Sequence, residues 1–512
     1  MALADNWLPA KQRVSEMITK LLLITIMFSL FLGNLTAAGE TFPAGNRLTY
    51  PNLSNSLGPG QVVVDVGMGD IGAFFDSILP TSDSPSYTAV FPKCDGEAYG
   101  NCVMSIEYRP VGSKEWQLGE FSREKLPIVP GEVVTYANGK PSHFAGAIKE
   151  DVKQKIPAGD SSMLLKLPNA PHAGGIEYLV SVLYSTFPRG NLNLPIDFRV
   201  ELLPVNYHPK KPKYSVVGGR MTPNAYMDFF EFPDDFEYRI KMKLGVIANR
   251  ISTFFYGRIN SPEIEIGGGI LTISGKPEKF PIAQSKIISY FDLNQGQRKL
   301  FSGSEEDFKR GGVVNFIGGR GAQDFEDFVA WEPLITEIGK TSAWNIKSSF
   351  NVGDCRTSGV SGFVSSNAML FNTSPPTWDE SAQSLDYKIA STHIDTIGNL
   401  NRGDLHIILS KELVECLWGS SLKNFSKVEI NVLDTEIAGT VQTNVVGEGG
   451  WVKIRVSDFS FSAPTLKVKL QFKESSQKSK IIKSKVMKCV KGKKVVVLPA
   501  KNAKCPRGYR LI

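Results

Sequence analysis

Alternation of apolar and polar side chains with a period of two residues is the feature of this sequence that most constrains its fold. In the clearest case, 237–246, apolar residues occupy every even position, while arginine or lysine stands at 239, 241 and 243. A strand of this kind needs one buried and one solvated face, so the pattern predicts a place in an antiparallel sheet.

Shorter segments with the same character recur along the chain, separated by turn signals such as Asn138-Gly139. The chain has 512 residues, with 47 glycines and 30 prolines, and this length is more than one ordinary core accommodates. The sequence therefore predicts an all-β protein of two or three antiparallel sandwich-like domains in tandem, with a small disulfide-stapled C-terminal hairpin.

Near the end of the body, the alternating segments 427–432, 451–456 and 466–472 lie close together in sequence, and we expect them to form one meander. Helix candidates are few: 323–338, which Pro333 interrupts, and the single turn 411–417. Helix content should be low.

The N-terminus has the three parts of a secretory signal: basic residues before residue 21, the apolar run Leu21–Leu32, and the small residues of Thr36-Ala37-Ala38. At ~1.5 Å per residue the apolar run spans about 18 Å, which is short of a hydrocarbon core of roughly 30 Å. We expect export, with a cleaved signal peptide or an uncleaved anchor through residues 21–38 left open.

Composition shifts divide the rest of the chain. A span rich in proline and lysine at 206–225 predicts a linker, and the lysine-rich C-terminus predicts a separate tail. The predicted segments are 1–38 signal or anchor, 39–60 leader loop, 61–205 first β domain, 206–225 linker, 226–341 second β domain, 342–472 third β domain, and 473–512 basic tail with its cysteine hairpin.

Six cysteines allow fifteen disulfide connectivities, and sequence alone does not choose between them. The cost of loop closure favours the local set, Cys94–Cys102, Cys355–Cys416 and Cys489–Cys505. Reduced structural thiols remain an alternative. A metal site is disfavoured, because no pair has the spacing of zinc ligands and the five histidines lie far from the cysteine pairs in sequence.

Charge is distributed unevenly. Residues 473–512 contain 13 lysines and arginines against one acidic residue, so the tail carries +12 and the body −5. Such asymmetry is typical of an arm that seeks an anionic partner. The residues predicted to bind the cell envelope are Lys483, Lys485, Lys488, Lys491, Lys493, Lys494, Lys504, Arg507 and Arg510.

The tail motif, Cys489-Val-Lys-Gly-Lys-Lys followed by Lys504-Cys-Pro-Arg-Gly-Tyr509, resembles the C-terminus of uncharacterised secreted or envelope-associated β-rich proteins of actinobacteria. The similarity extends over about 237–512 and leaves residues 40–230 unmatched. It implies a secreted or envelope-associated β-rich protein with a Cys355–Cys416 bridge, and it supplies no catalytic residues.

No catalytic constellation stands out: the sequence has no Gly-x-Ser-x-Gly and no His-Glu-x-x-His. A glycosidase needs only two carboxylates, which no sequence pattern excludes, and Asp379, Glu380 and Asp386 beside Trp378 are the place to look. Core packing is the better interpretation of most tryptophans, but Trp378 is a candidate for stacking on a sugar ring. No metal ligand set and no cofactor are predicted.

The sequence favours a non-enzyme: an exported structural or binding protein, secreted or held at the bacterial surface, whose basic C-terminal element associates with an anionic envelope polymer or membrane surface. The alternative is an envelope-glycan hydrolase or a carbohydrate-binding or adhesion module. Nucleic-acid binding is disfavoured by export and by the acidic body. The oligomeric state is left open.

Overall fold

A computed structural model describes residues 59–66, most of 87–472, and 486–491, 494–499 and 510–511. The predicted signal or anchor and nearly all of the leader loop therefore lie outside the described residues. Between 87 and 472 the gaps are 96–99, 123–132, 136–140, 144–148, 151–155, 190–191, 209–214, 218–219, 223–226, 249–253, 300, 302–304, 311–312, 318–321, 349–353, 356, 358, 373–374, 396–397, 422–424, 434–441, 449 and 462–464.

Strands dominate the chain, which confirms the all-β prediction. In chain order they are β1 Gln61–Val66, β2 Tyr87–Val90, β3 Asn101–Pro110, β4 Gln117–Leu118, β5 Glu120–Phe121, β6 Val133–Thr135, β7 Pro141–His143, β8 Met163–Lys166, β9 Glu177–Arg189, β10 Leu192–Tyr207, β11 Ser215–Val217, β12 Arg220–Thr222, β13 Met227–Phe229, β14 Phe236–Leu244, β15 Phe254–Gly267 and β16 Ile270–Ser285. They continue as β17 Ile288–Ser289, β18 Val313–Ile317, β19 Ile335–Ser348, β20 Gly362–Ser366, β21 Leu370–Phe371, β22 Thr377–Asp379, β23 Ser384–Ala390, β24 Arg402–Ser410, β25 Phe425–Leu433, β26 Gln442–Glu448, β27 Trp451–Ser460, β28 Thr465–Phe472, β29 Val486–Lys491, β30 Lys494–Pro499 and β31 Arg510–Leu511.

Helices in the described part of the chain are short. The α-helices are α1 Gln295–Arg298, α2 Glu305–Arg310, α3 Ala322–Trp331 and α4 Lys411–Trp418, and 3-10 turns occupy Gly245–Ile247, Tyr290–Asp292 and Glu332–Leu334. The predicted helix over 323–338 was too long. Helix α3 ends before Pro333, and the chain becomes strand β19 from Ile335 onward, because proline cannot supply the N–H that a helix interior needs.

The main sheet contains 19 of the described strands, and its pairings are antiparallel except for β1 with β18 and β15 with β20. A separate five-stranded sheet joins β21, β22, β23, β25 and β28, and β29, β30 and β31 form a three-stranded sheet. Two small hairpins, β6–β7 and β11–β12, complete the strand pairing.

The predicted alternating strand 237–246 is observed as β14, between β3 and β16. Tyr238, Ile240, Met242 and Leu244 are buried, and the charged residues between them are half-buried on the other face. The alternation of the sequence thus positions one face of the main sheet on the largest apolar core, as period-two patterning requires.

Pairing within the main sheet crosses the predicted segment boundaries. Strand β14 pairs with β3, and β19 pairs with both β10 and β16. Hairpin β11–β12 lies inside the predicted linker 206–225. Strands from the three predicted β segments therefore share one sheet, and the number of domains stays a prediction.

The predicted single meander was wrong. Strand β25 pairs with β28, whereas β27 pairs with β24 and β26 in the main sheet. Val452 and Ile454 of β27 nevertheless share a core with Leu466 and Val468 of β28. The two sheets thus pack face to face, so that apolar faces predicted to be neighbours within a sheet meet across a sandwich instead.

A third core lies under helix α3. Trp331 is fully buried, its ring packs edge to face on Phe301 at 5.5 Å, and Tyr290 stacks on Phe308 at 4.0 Å. Aromatic pairs in such geometries contribute about 0.5–1.5 kcal/mol beyond their buried area. These contacts hold the short helices against β1 and β16.

Two of the predicted disulfides are confirmed, Cys94–Cys102 and Cys355–Cys416, with Cα atoms 4.9 and 5.9 Å apart. Disulfides of this kind are typical of oxidising compartments outside the cytosol. Cys505 and the side chain of Cys489 lie outside the described residues, so their bridge stays a prediction. Among the described residues, no helix has the length and apolar character needed to cross a membrane.

The two faces of β14 offer a direct test of this arrangement. Met242→Ala should lower the free energy of unfolding by about 2–4 kcal/mol, because the side chain is fully buried in the main core. The matched change on the other face, Lys243→Ala, should stay within about 0.5 kcal/mol. Guanidinium unfolding measures both, and equal effects would contradict the assignment of faces.

Candidate functional site

A cluster of polar side chains sits where β15, β16, β24 and β27 come together. Its members are Glu278 from β16, Asp404 and His406 from β24, and Arg455 from β27, with Asn260 of β15 beside Glu278. Charged groups inside a sheet are costly unless they are paired, so each contact in the cluster needs an account.

A β-bulge places Asp404. His406 is opposite Arg455 in the β24–β27 ladder, but the register shifts so that Gly403 faces Phe459 and Asp404 faces Ser457. The extra residue, Asp458, has a φ of 65°. A side chain at position 403 would strike the ring of Phe459, so glycine is required where the strand bends.

A second bulge places Asn260. The β15–β16 register shifts after Asn260, and within the shift Ser261 has a φ of 51°. Opposite it, Gly275 has a φ of 150° and its carbonyl accepts a hydrogen bond from Trp344 Nε1 at 3.0 Å. Both bulges lie beside the polar cluster, and bulges commonly redirect side chains next to functional sites.

Asp404 is held as a carboxylate. Arg455 donates from Nε to Oδ1 at 3.1 Å and from Nη2 to Oδ2 at 2.5 Å, and His406 Nε2 lies 3.6 Å from Oδ1. Burial by itself raises the pKa of Asp404, but the interactions with His406 and Arg455 outweigh it, so the pKa is lowered. At neutral pH this group is therefore an anion with a fixed orientation.

Glu278 is held as a carboxylic acid. Burial and the nearby charge of Asp404 raise its pKa to about 8, against the opposing effects of Asn260, Arg258 and Arg455. Asn260 Nδ2 approaches Oε1 at 3.4 Å, and Oε2 has no hydrogen-bond partner among the described residues. At pH 7 Glu278 thus carries its proton beside an ionised partner.

Exposure increases along the cluster. Glu278 is 4% exposed, the side chain of Asp404 14%, and that of Arg455 47%. The cluster therefore reaches solvent at Arg455 and ends inside the protein at Glu278.

Arg258 supports the cluster from behind and is fully buried. Its guanidinium lies 3.8 Å from the ring centroid of Phe280 and 4.4 Å from that of Phe371, in cation–π geometry. It also donates hydrogen bonds to three backbone carbonyls, those of Ser366 at 2.7 Å, Ala368 at 2.5 Å and Met369 at 3.0 Å.

The turn at residues 366–369, whose carbonyls Arg258 binds, also holds the backbone of Asp404. Asn367 Oδ1 accepts the Asp404 N–H at 2.7 Å, and Ser366 Oγ donates to the Asp404 carbonyl at 2.9 Å. Arg258 is therefore a positioning residue for Asp404, acting through this turn.

The sequence-predicted aromatic candidate, Trp378, lies in β22 and is half-buried. Its ring packs edge to face on Trp418 at 4.8 Å, and Trp418 Nε1 donates to the carbonyl of Gln383 at 3.1 Å. Sugar stacking by Trp378 stays a prediction.

The carboxylates beside Trp378 are paired with a lysine. Lys467 Nζ lies 2.9 Å from Asp386 Oδ2 and 3.8 Å from Asp379 Oδ2. Hydrogen bonds from the Ser381 side chain and the Ala382 backbone lower the pKa of Asp379. A lowered pKa is the opposite of what a proton donor needs, so Asp379 is unsuited to that role, and a hydrolytic role for this group of carboxylates, Glu380 included, stays a prediction.

In the basic tail the structure describes the three strands β29, β30 and β31. Strands β29 and β30 form the predicted hairpin, with Lys491 opposite Lys494, and β31 returns so that Leu511 lies opposite Cys489. The side chains of the nine predicted envelope-binding residues lie outside the described residues, and their role stays a prediction.

Sequence reasoning missed all four members of this cluster, Glu278, Asp404, His406 and Arg455. Asp404 and His406 are two residues apart on a visible strand, but Glu278 is more than 120 positions away, and Arg455 looks like one more charge on the wet face of an alternating strand. No local pattern joins them. Within the described ranges, no group of three or more histidine, cysteine, aspartate or glutamate side chains is arranged to hold a metal ion.

The buried acid predicts a pH dependence of stability. The pKa of Glu278 is about 8 in the fold and 4.5 ordinarily. The contribution of Glu278 to the free energy of unfolding is therefore fully present below pH 4.5 and is lost as the pH rises through 8. Glu278→Gln cannot ionise. Between pH 5 and 9 the free energy of unfolding should therefore shift in favour of the variant by on the order of 4 kcal/mol.

Guanidinium unfolding at pH 5, 7 and 9, followed by tryptophan fluorescence, measures this shift. The matched control is Glu263→Gln on β15, whose carboxylate is exposed and should show no such change. Parallel pH profiles for the wild type and Glu278→Gln would contradict the assignment.

No protein-family model, no curated protein and no solved structure matches this chain. The resemblance of the tail motif to actinobacterial secreted proteins therefore stays a prediction. What the chain does has to be argued from its own charges, disulfides and site geometry.

Proposed function

We propose that this chain is an exported protein that binds the bacterial envelope through its basic C-terminal element. The observation that carries the proposal is the separation of charge, +12 in residues 473–512 against −5 in the rest. The two disulfides support a location in an oxidising compartment, and the apolar run Leu21–Leu32 supports a secretory route.

Tail architecture supports the same proposal. Because β31 pairs with β29, and β29 with β30, the backbone brings positions 488, 491, 494 and 510 into one small sheet rather than spreading them along an extended arm. Each lysine or arginine near an anionic surface contributes about 1 kcal/mol, so several acting together suffice for retention. Such binding weakens as salt rises.

Charge removal from the tail tests this function. Vesicles containing an anionic phospholipid and isolated cell envelopes serve as probes at 50 mM salt, and cosedimentation measures binding. Full-length protein should bind and should dissociate as salt increases. Replacing five tail lysines with glutamine should weaken binding at least tenfold; the five are Lys488, Lys491, Lys493, Lys494 and Lys504.

The matched control removes the same charge from the body. Five exposed lysines, Lys114, Lys149, Lys166, Lys286 and Lys299, are replaced with glutamine. This variant should bind as the wild type does. Equal loss in the two variants would show an effect of net charge alone, and undiminished binding by the tail variant would refute the role of the tail.

Export is tested by intact mass of the protein recovered from its native host. The expected mass lacks about the first 38 residues, and the six cysteines take up alkyl groups only after reduction. Full-length mass with freely alkylated thiols would overturn the proposed location.

A further inference from the structure

We propose that the turn between β8 and β9, residues 167–176, is an acid-sensitive latch, which closes over an aromatic cluster of the main core only while the imidazole of His172 is neutral. This conformational device lies in the body of the chain and goes beyond envelope binding by the tail.

Both ring nitrogens of His172 are engaged by backbone groups of opposite kind. Nδ1 accepts a hydrogen bond from the N–H of Gly174 at 3.1 Å, and Nε2 lies 2.8 Å from the carbonyl oxygen of Glu177. Because an amide N–H donates and a carbonyl oxygen accepts, these contacts require the neutral tautomer with its proton on Nε2. In an imidazolium Nδ1 also carries a proton, so two N–H groups would face each other and the contact with Gly174 would be lost.

The ring of His172 is enclosed by aromatic side chains. Tyr178 packs on it edge to face at 5.1 Å, Phe230 lies tilted against it at 5.2 Å, and the residue is 8% exposed. Burial lowers the pKa of His172 below its ordinary 6.5, and the hydrogen bond and charge of Glu177 oppose this effect only in part. A proton therefore binds the closed turn less readily than it binds a histidine in water.

Charged groups of the neighbouring elements are already engaged elsewhere. Glu177 of β9 stands opposite Lys166 of β8 in the ladder. Beside Phe230, the carboxylate of Glu231 accepts a hydrogen bond from the backbone N–H of Ser342 at 2.6 Å. Of these groups, Glu177 is the carboxylate that acts on His172, and its effect is smaller than that of burial.

The aromatic cluster holds the turn in place. The hydroxyl of Tyr178 donates to the carbonyl of Ala170 at 2.7 Å and lies 3.2 Å from the hydroxyl of Tyr238. A Cβ at position 174 would lie 2.1 Å from the ring of Phe230, so this ring packs directly on the glycine whose N–H binds His172. Burial raises the pKa of Tyr178 and Tyr238, so neither hydroxyl changes charge in acid.

Acid should therefore favour the open turn. Opening exposes the imidazole of His172 to water, where it takes up a proton near pH 6.5, whereas the closed turn binds one only at lower pH. The closed state is fully favoured above pH 6.5. Below it, the equilibrium shifts toward the open state by up to about tenfold per pH unit, until the pH reaches the lowered pKa of the closed state.

Hydrogen exchange of the full-length protein at pH 7, 6 and 5 tests the latch. Mass spectrometry follows peptides from 167–176, and protection factors remove the effect of pH on intrinsic exchange. Protection of these amides should fall at least about fivefold between pH 7 and 5. Strand β28 serves as the internal reference and should keep its protection.

Two variants separate the titration from the contact. His172→Asn offers an amide oxygen to the Gly174 N–H but does not titrate, so protection of 167–176 should no longer depend on pH. His172→Phe keeps a ring but offers no acceptor, so these amides should exchange at least about fivefold faster at pH 7, with β28 unchanged.

The matched control is His208→Asn. His208 is partly exposed and hydrogen-bonds to Asp228 at 2.8 Å, away from the turn, so this variant should retain the wild-type pH dependence. The proposal is overturned by wild-type protection that is the same at pH 7 and 5, by a pH dependence that persists in His172→Asn, or by wild-type protection at pH 7 in His172→Phe.

Discussion

The central part of this structure depends on the guanidinium of Arg258, which has no exposure to solvent. Removing an arginine from water costs several kcal/mol, and hydrogen bonds and aromatic contacts that replace part of its hydration offset that cost. Arg258 makes such contacts with three carbonyls of one turn and with the faces of Phe280 and Phe371. Because those carbonyls follow β20 while Arg258 belongs to β15, the interaction fixes the turn against the parallel pair that these strands form.

The same turn, at residues 366–369, positions Asp404 of the polar cluster. Asp404 is bound through its backbone by Ser366 and Asn367, and its carboxylate is bound by Arg455. Two anions cannot be held side by side in so enclosed a place, and the protein resolves the conflict by leaving the proton on Glu278. The charge distribution that lowers the cost of burying these groups also leaves Glu278 as an acid and Asp404 as an anion.

Sequence periodicity predicted the strands and much of the core, because a half-buried strand must alternate whatever its partners are. It did not predict which strands pair. The strands that contain Val452 and Leu466 alternate in the same way, yet they belong to different sheets and meet across a sandwich. Cys355–Cys416 followed from loop closure. The Glu278–Asp404 pair did not follow, since it depends on two register shifts that are set by packing around Gly275 and Gly403 rather than by local propensity.

The uneven distribution of charge along the chain has a physical consequence for the proposed envelope binding. A body with a charge of −5 is repelled by an anionic polymer at low salt. A tail with a charge of +12 is attracted to the same polymer, so the net interaction of the chain is attractive. Once the tail is bound, the polymer stays close to the body, because the tail and the body belong to one chain.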